Sequence, residues 1–120
     1  MSSKRTSAVA ANTRLHRQQA PVFAALSDET RLSLLATLSA GVPCSISQLT
    51  AGSKISRQAI TKHLRVLETT GLVRGETVGR ERRFELEPQP LADVRDYLDL
   101  VSQRWDEALT RLKKLVETKV

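Results

Sequence analysis

The segment from Ser56 to Thr70 most constrains what this chain can fold into. On a helical wheel of about 100° per residue, Ile60, Leu64 and Leu67 fall on one side, with His63 at its edge. Gln58, Thr61, Lys62 and Arg65 fall on the other side. Ser56 stands where an N-cap belongs, and Gly71 followed by apolar Leu72 suits a Schellman-type end. Upstream, Ser45-Ile46-Ser47-Gln48 reads as a capping box that opens a short helix to about Gly52, held by Ile46 and Leu49. A short capped helix, a tight turn and an amphipathic helix with polar residues at its N-terminal end make a helix-turn-helix over residues 45–70. In that layout the second helix enters the major groove of DNA. Its polar face has suitable chemistry: Lys and Arg for phosphate or guanine, Gln for adenine, Thr for phosphate or a thymine methyl.

The flanking segments complete a winged variant. Leu72-Val73-Arg74 and Arg83-Phe84-Glu85-Leu86-Glu87 flank Gly75 and Gly79 and predict a two-stranded hairpin with a charged tip, a wing over residues 72–87. Arg80, Arg82 and Arg83 on it could lie along phosphates or in the minor groove. A first helix is expected from Thr13 to Leu26 with Leu15, Val22, Phe23 and Leu26 as its apolar face; Pro21 within it either kinks it or starts a new helix. Asp28 caps a second helix carrying Leu32, Leu35 and Leu38 or Ser39, stopped by Gly41 and Pro43. Pro88 and Pro90 are read as breaks before a last helix over 91–118, whose stripe of Val94, Tyr97, Leu98, Val101, Trp105, Leu109, Leu112 and Leu115 or Val116 recurs every three or four residues. Residues 1–12 are small and polar and are expected to be a disordered tail, leaving 13–118 as one domain.

Charge sharpens the reading. The chain of 120 residues carries a net charge of +6. Residues 54–83 hold eight basic residues against three acidic ones, whereas 91–120 balance at six of each. A basic centre points to an anionic partner, nucleic acid first, although a solvated charged face is the plainer alternative. No apolar run is long enough to span a membrane, and the N-terminus lacks the apolar stretch of a signal peptide, so a cytoplasmic protein with no membrane partner is expected. A single cysteine, Cys44, excludes a disulfide framework. The sequence has neither a phosphate-cradling GxxxxGK[ST] loop nor a glycine-rich dinucleotide turn, and no enzyme is expected.

The run Val22-Phe23-Ala24-Ala25-Leu26-Ser27-Asp28-Glu29-Thr30-Arg31-Leu32 resembles the entry segment of the ArsR/SmtB family of bacterial winged-helix repressors. Ser56-Arg57-Gln58-Ala59-Ile60-Thr61-Lys62-His63-Leu64-Arg65-Val66-Leu67-Glu68 is similar to that family's recognition helix, and Gly71-Leu72-Val73 and Gly79-Arg80-Glu81 to its helix exit and wing. The resemblance covers about residues 14–115, with Lys54 where the turn commonly has a glycine. It implies an α+β, mostly α winged helix-turn-helix of five helices and a hairpin. The molecule would be a homodimeric repressor of transcription that binds a pseudo-palindromic operator in double-stranded DNA. Ser56, Arg57, Gln58, Thr61, Lys62 and His63 would then face DNA, with Arg65 beside them on the polar face and Arg80, Arg82 and Arg83 gripping phosphates. The first and last helices would form the dimer interface, with Leu15, Val22, Val94, Leu98, Val101, Trp105, Leu109 and Leu112 in it.

Many members of that family release DNA on binding metal, through clustered cysteines near the third helix or Asp and His pairs on the last helix. Here Cys44 is alone, neither His16 nor His63 lies on the last helix, and Asp93, Asp96, Asp99, Asp106 and Glu107 have no His among them. No metal site and no cofactor are expected. Cys44 reads as packing rather than a redox switch, and Tyr97 and Trp105 as core or interface. Two other functions fit the same residues: a winged-helix dimer that binds protein without a specific DNA site, and a regulator with a small-molecule inducer bound between the first and last helices. Convergence of the basic groups of 54–83 on one surface would discriminate against the first.

Overall fold

The computed structural model describes Arg14 and residues 16–118; the expected tail of 1–12 and Leu15 lie outside the described residues. Helix α1 (16–26) buries Val22 and Ala25 and sets Phe23 and Leu26 against the same core. Pro21 neither breaks nor restarts it. Its ring is exposed, and so is Arg17, whose carbonyl the missing N–H of Pro21 would otherwise meet.

Helix α2 (Glu29–Leu38) begins at Asp28, whose carboxylate accepts from the Arg31 backbone N–H at 2.9 Å. Its buried face is Leu34, Leu35 and Leu38. Leu32, expected in that face, is 48% exposed. Leucines on nearly every side of this helix made the choice between Leu32 and Leu34 ambiguous in sequence, and packing selects the set at i, i+1, i+4.

Strand β1 (Cys44–Ser45) leads directly into α3 (Ile46–Thr50). Ser45 and Gln48 make both hydrogen bonds of the capping box: the Ser45 hydroxyl accepts from the Gln48 N–H at 3.1 Å, and the Gln48 side chain accepts from the Ser45 N–H at 2.8 Å. Helix α4 (Arg57–Thr69) starts on Ser56 and buries Ile60, Leu64 and Leu67. It ends in a Schellman motif: the Leu72 N–H donates to the Leu67 carbonyl at 2.9 Å and the Gly71 N–H to that of Glu68 at 3.0 Å, with Gly71 at φ +77°.

Strands β2 (Val73–Val78) and β3 (Glu81–Leu86) are longer than predicted and run through Gly75. They join at Gly79-Arg80, with Val78 opposite Glu81 and Gly79 at φ +64°, as a two-residue hairpin turn with glycine first requires. The sheet has three antiparallel strands in the order β1-β3-β2, one more than expected. Cys44 pairs with Phe84 and Ser45 with Arg83, so the cysteine is half-buried sheet edge packed on the core.

Helix α5 runs from Pro88 to Thr118, 31 residues. The prolines expected to break the chain before it occupy its first turn instead, where their missing N–H groups would have no intrahelical partner. Only its beginning reaches the core, through Leu91 and buried Val94. Tyr97 meets α1 edge-on, 5.5 Å from the His16 ring and 6.0 Å from Phe23. Beyond Val101 almost every side chain is exposed, and the helix projects from the domain, which measures 68 × 35 × 22 Å.

Candidate nucleic-acid interface

Packing of Ile60, Leu64 and Leu67 against the core fixes the rotation of α4 and so decides what its other side offers. Arg57, Gln58, Thr61, Lys62 and Arg65 line one open depression of about 530 Å³. These residues sit in the first two-thirds of the helix, where its N-terminal end carries partial positive charge. The Ser56 hydroxyl oxygen accepts from the Ala59 N–H at 3.2 Å, which leaves its hydrogen to donate outward. Thr61 donates its hydroxyl hydrogen to the Arg57 carbonyl at 2.8 Å, so toward a ligand it offers a methyl group and an acceptor oxygen.

The wing meets this surface at Arg57. A second cleft, of about 190 Å³, lies between α3 and the hairpin and is bordered by Ser45, Ser47, Arg57, Arg80, Glu81 and Arg82. Arg57 donates to the Ser47 hydroxyl at 3.2 Å and so joins the two helices of the helix-turn-helix. Ser47 escaped the sequence reading; its only signal was an exposed hydroxyl in the first turn of a capped helix.

The three wing arginines do not act as one group. Residues alternate between the faces of a strand, and the register puts Arg82 beside Thr77, Gly75 and Phe84 on the core side. Arg82 lies over the Phe84 ring at 5.6 Å and pairs with Glu68 of α4 at 2.9 Å. Gly75 makes room for it, since a Cβ there would sit 2.7 Å from the guanidinium. Arg83 is on the opposite face, opposite Glu76 and 3.5 Å from Glu81. Arg74 on that face pairs with Glu85 and, at 3.4 Å, with Glu87. Of the three arginines expected to grip phosphates, Arg80 at the turn and Arg82 border the cleft with Arg57, and Arg83 lies on the other face of the hairpin.

His63 stands apart from the other residues expected to face DNA. It does not line the depression with Gln58 and Lys62 but turns toward the start of α2, its side chain 22% exposed. Its Nδ1 is 3.3 Å from an Arg31 nitrogen and 3.8 Å from the Asp28 carboxylate. The Asp28 carboxyl is held below the ordinary carboxylate range, chiefly because it accepts from the Arg31 backbone N–H.

The residues expected at a subunit interface divide. Val22 and Val94 are core residues of their own chain, 7% and 6% exposed, and have little surface left for a partner. Leu98, Trp105, Leu109 and Leu112 are exposed, Trp105 by 64%, and Val101 is intermediate. Among the described residues, no group of three or more His, Cys, Asp and Glu side chains is close enough to hold a metal ion, and no helix is long and apolar enough to cross a membrane.

A helix-turn-helix domain family matches residues 26–76. The chain is similar to the HTH-type transcriptional regulator Rv2034 of Mycobacterium tuberculosis, 33% identical over 103 residues that cover 86% of this chain and 92% of that one. It is similar to the Transcriptional repressor SmtB homolog of a Synechocystis species, 36% identical over 70 residues, 58% of this chain and 52% of that one. Among solved structures, an ArsR-like transcriptional regulator from Rhodococcus sp. RHA1 superimposes with a TM-score of 0.80 at 39% identity, covering 86% of this chain and 94% of that one.

Proposed function

The chain belongs to the ArsR family of winged helix-turn-helix, DNA-binding transcriptional regulators, and from that premise we propose that it is a homodimeric repressor that reads a pseudo-palindromic operator without the family's usual metal sites. The observation that carries the DNA reading is the continuous polar surface from α4 to the wing. Arg57, Lys62 and Arg65 share the depression with Gln58 and Thr61, and Arg57 also borders the cleft with Arg80 and Arg82. Cations set the helix on the backbone, while Gln58 and the Thr61 methyl reach base edges in the major groove. The same convergence favours an anionic partner with regularly spaced charge over a protein-docking module.

The dimer reading is supported by α5. Leu91, Val94, Leu98, Val101, Trp105, Ala108, Leu112 and Leu115 alternate in steps of three and four, the spacing of a helix-pairing seam. From Leu98 onward most of that seam is open to solvent, more apolar surface than a small monomer ordinarily leaves uncovered. Repression is carried over from the Synechocystis relative, described as a repressor. Independence from metal is supported by how the soft donors are occupied. Cys44 lies in the sheet edge with its thiol toward the Val42 carbonyl at 3.4 Å, His16 meets Tyr97 edge-on, and His63 is engaged by α2.

Selection from random or genomic duplexes, followed by fluorescence anisotropy at low and physiological salt, tests this. A winning site with two inverted halves about one helical turn apart, still bound at physiological salt, is the expected result. Weak, salt-labile and sequence-blind binding would overturn it and favour the protein-docking reading. If the winning site is bound only when a metabolite extract is added, a small-molecule ligand replaces the ligand-free reading.

A further inference from the structure

His63 and Arg31 form a junction that DNA contact alone does not explain. Arg31 Nε donates to the Ala25 carbonyl at 2.7 Å and one terminal nitrogen to the Ala24 carbonyl at 3.3 Å, which places the guanidinium over the C-terminal end of α1. Its other terminal nitrogen is 3.3 Å from Nδ1 of His63 on α4. A guanidinium can only donate. For that contact to be a hydrogen bond Nδ1 must accept, which requires a neutral ring with its hydrogen on Nε2. One side chain thus links α1, adjoining the proposed subunit interface, to the helix proposed to read DNA.

The link depends on the charge of the ring. Protonation puts a hydrogen on Nδ1, so the Arg31 bond is lost and two cations face each other. The Asp28 carboxylate, 3.8 Å away, becomes the new acceptor. Asp28 and Arg31, both from the start of α2, are the charged groups facing Nδ1 among the described residues. Along α4 the ring's neighbours at three and four residues are Ala59, Ile60, Val66 and Leu67, none titratable. From α1 the junction receives carbonyl oxygens that Arg31 already occupies.

We propose that Arg31 is a positioning residue for DNA binding, holding α4 to the end of α1 through neutral His63, and that protonation of His63 exchanges Arg31 for Asp28 and so shifts the start of α4 from its DNA-binding pose within the core packing that holds the helix. The proposal rests on the DNA-binding reading above. It runs against the ordinary trend, in which acid adds positive charge and tightens binding to phosphate.

Two measurements test it. Long-range ¹H–¹⁵N NMR on the free full-length protein at pH 8 should show His63 as the Nε2–H tautomer, and Arg31→Lys should convert it to a tautomer mixture. Anisotropy with the duplex that wins the selection should show affinity falling about tenfold from pH 8 to pH 5.5, the scale of one hydrogen bond to a charged group. His63→Gln keeps an acceptor for Arg31 but cannot titrate, and it should abolish that fall. His16, the other histidine of the chain, remains in that variant as a control. An Nδ1–H tautomer in the wild type, or the same pH dependence in His63→Gln, overturns the proposal. If Arg31→Lys fails to fold, the wild-type tautomer and the His63→Gln profile still decide. Absence of a winning duplex would overturn the DNA reading instead, and the tautomer of the free protein would still test the junction.

Discussion

Gln58 and Lys62 stand four residues apart on α4 and line the same depression, yet chemistry gives them different work. A glutamine amide can pair with an adenine edge, whereas a lysine ammonium is a point charge for phosphate. Gln58→Ala is expected to relax preference at one base pair of the selected site and cost about 1–3 kcal/mol there. Lys62→Ala is expected to weaken all duplexes alike and lower the slope of log affinity against log salt by about one. Competition binding against single-base variants across a salt series separates the two, and uniform loss from Gln58→Ala would remove it from base readout. Asp28 carries a different expectation. Its folded-state pKa is depressed, so its contribution to stability is present above the unfolded carboxylate value and is lost as pH falls through the folded one. Asp28→Asn keeps an N-cap of similar strength but cannot titrate. Urea midpoints taken from pH 7 to pH 3 should fall less steeply in the variant than in the wild type. The cap itself was legible in sequence because it is local. The Arg31 bonds to Ala24, Ala25 and His63 were not, since Arg31 and His63 are 32 residues apart and only the tertiary fold brings them together.

Local signals predict whole elements where the chemistry is short-range. The capping box at Ser45, the N-caps at Asp28 and Ser56 and the glycine end of α4 all form as their residue types require. Gly71 tests one of them. A Cβ there would lie 3.8 Å from the Pro90 ring, an ordinary contact, so space does not forbid it. The φ of +77° does, and Gly71→Ala is expected to cost about 1 kcal/mol, read as a lower urea midpoint at unchanged slope. Elements that depend on partners elsewhere were hidden. Two residues of β1 are too few to show alternation, and only pairing with Phe84 and Arg83 makes them a strand. The opposing faces of Arg82 and Arg83 follow from a register that also required the full length of the wing. Pro88 and Pro90 break a helix interior but fit its first turn, and only the position of α5 decides between the two.

At the scale of the whole molecule, the feature needing a partner is the outer half of α5. A helix of 31 residues is about 46 Å long at 1.5 Å per residue, and its core contacts end at Val94, with Tyr97 still meeting α1 one turn further on. Leu109, Leu112, Leu115 and Val116 gain nothing from the domain they belong to, being 56–58% exposed. A second copy using the same stripe would cover both at once, and its two-fold axis would set two α4 helices on successive turns of one face of DNA. The stripe was readable in sequence; its division into an inner part for the core and an outer part for a partner was not, because periodicity is identical in both. Leu112→Glu places a charge on the seam at a site already open in the single chain, so the domain should keep its circular dichroism. Sedimentation should show the dimer shifted to monomer. Affinity for the two-fold site should fall about a hundredfold or more, since each half-site must then be bound without the gain from linkage. Affinity for an isolated half-site should stay near the wild-type value. A variant that remains dimeric with unchanged operator affinity would move the subunit interface away from this half of α5.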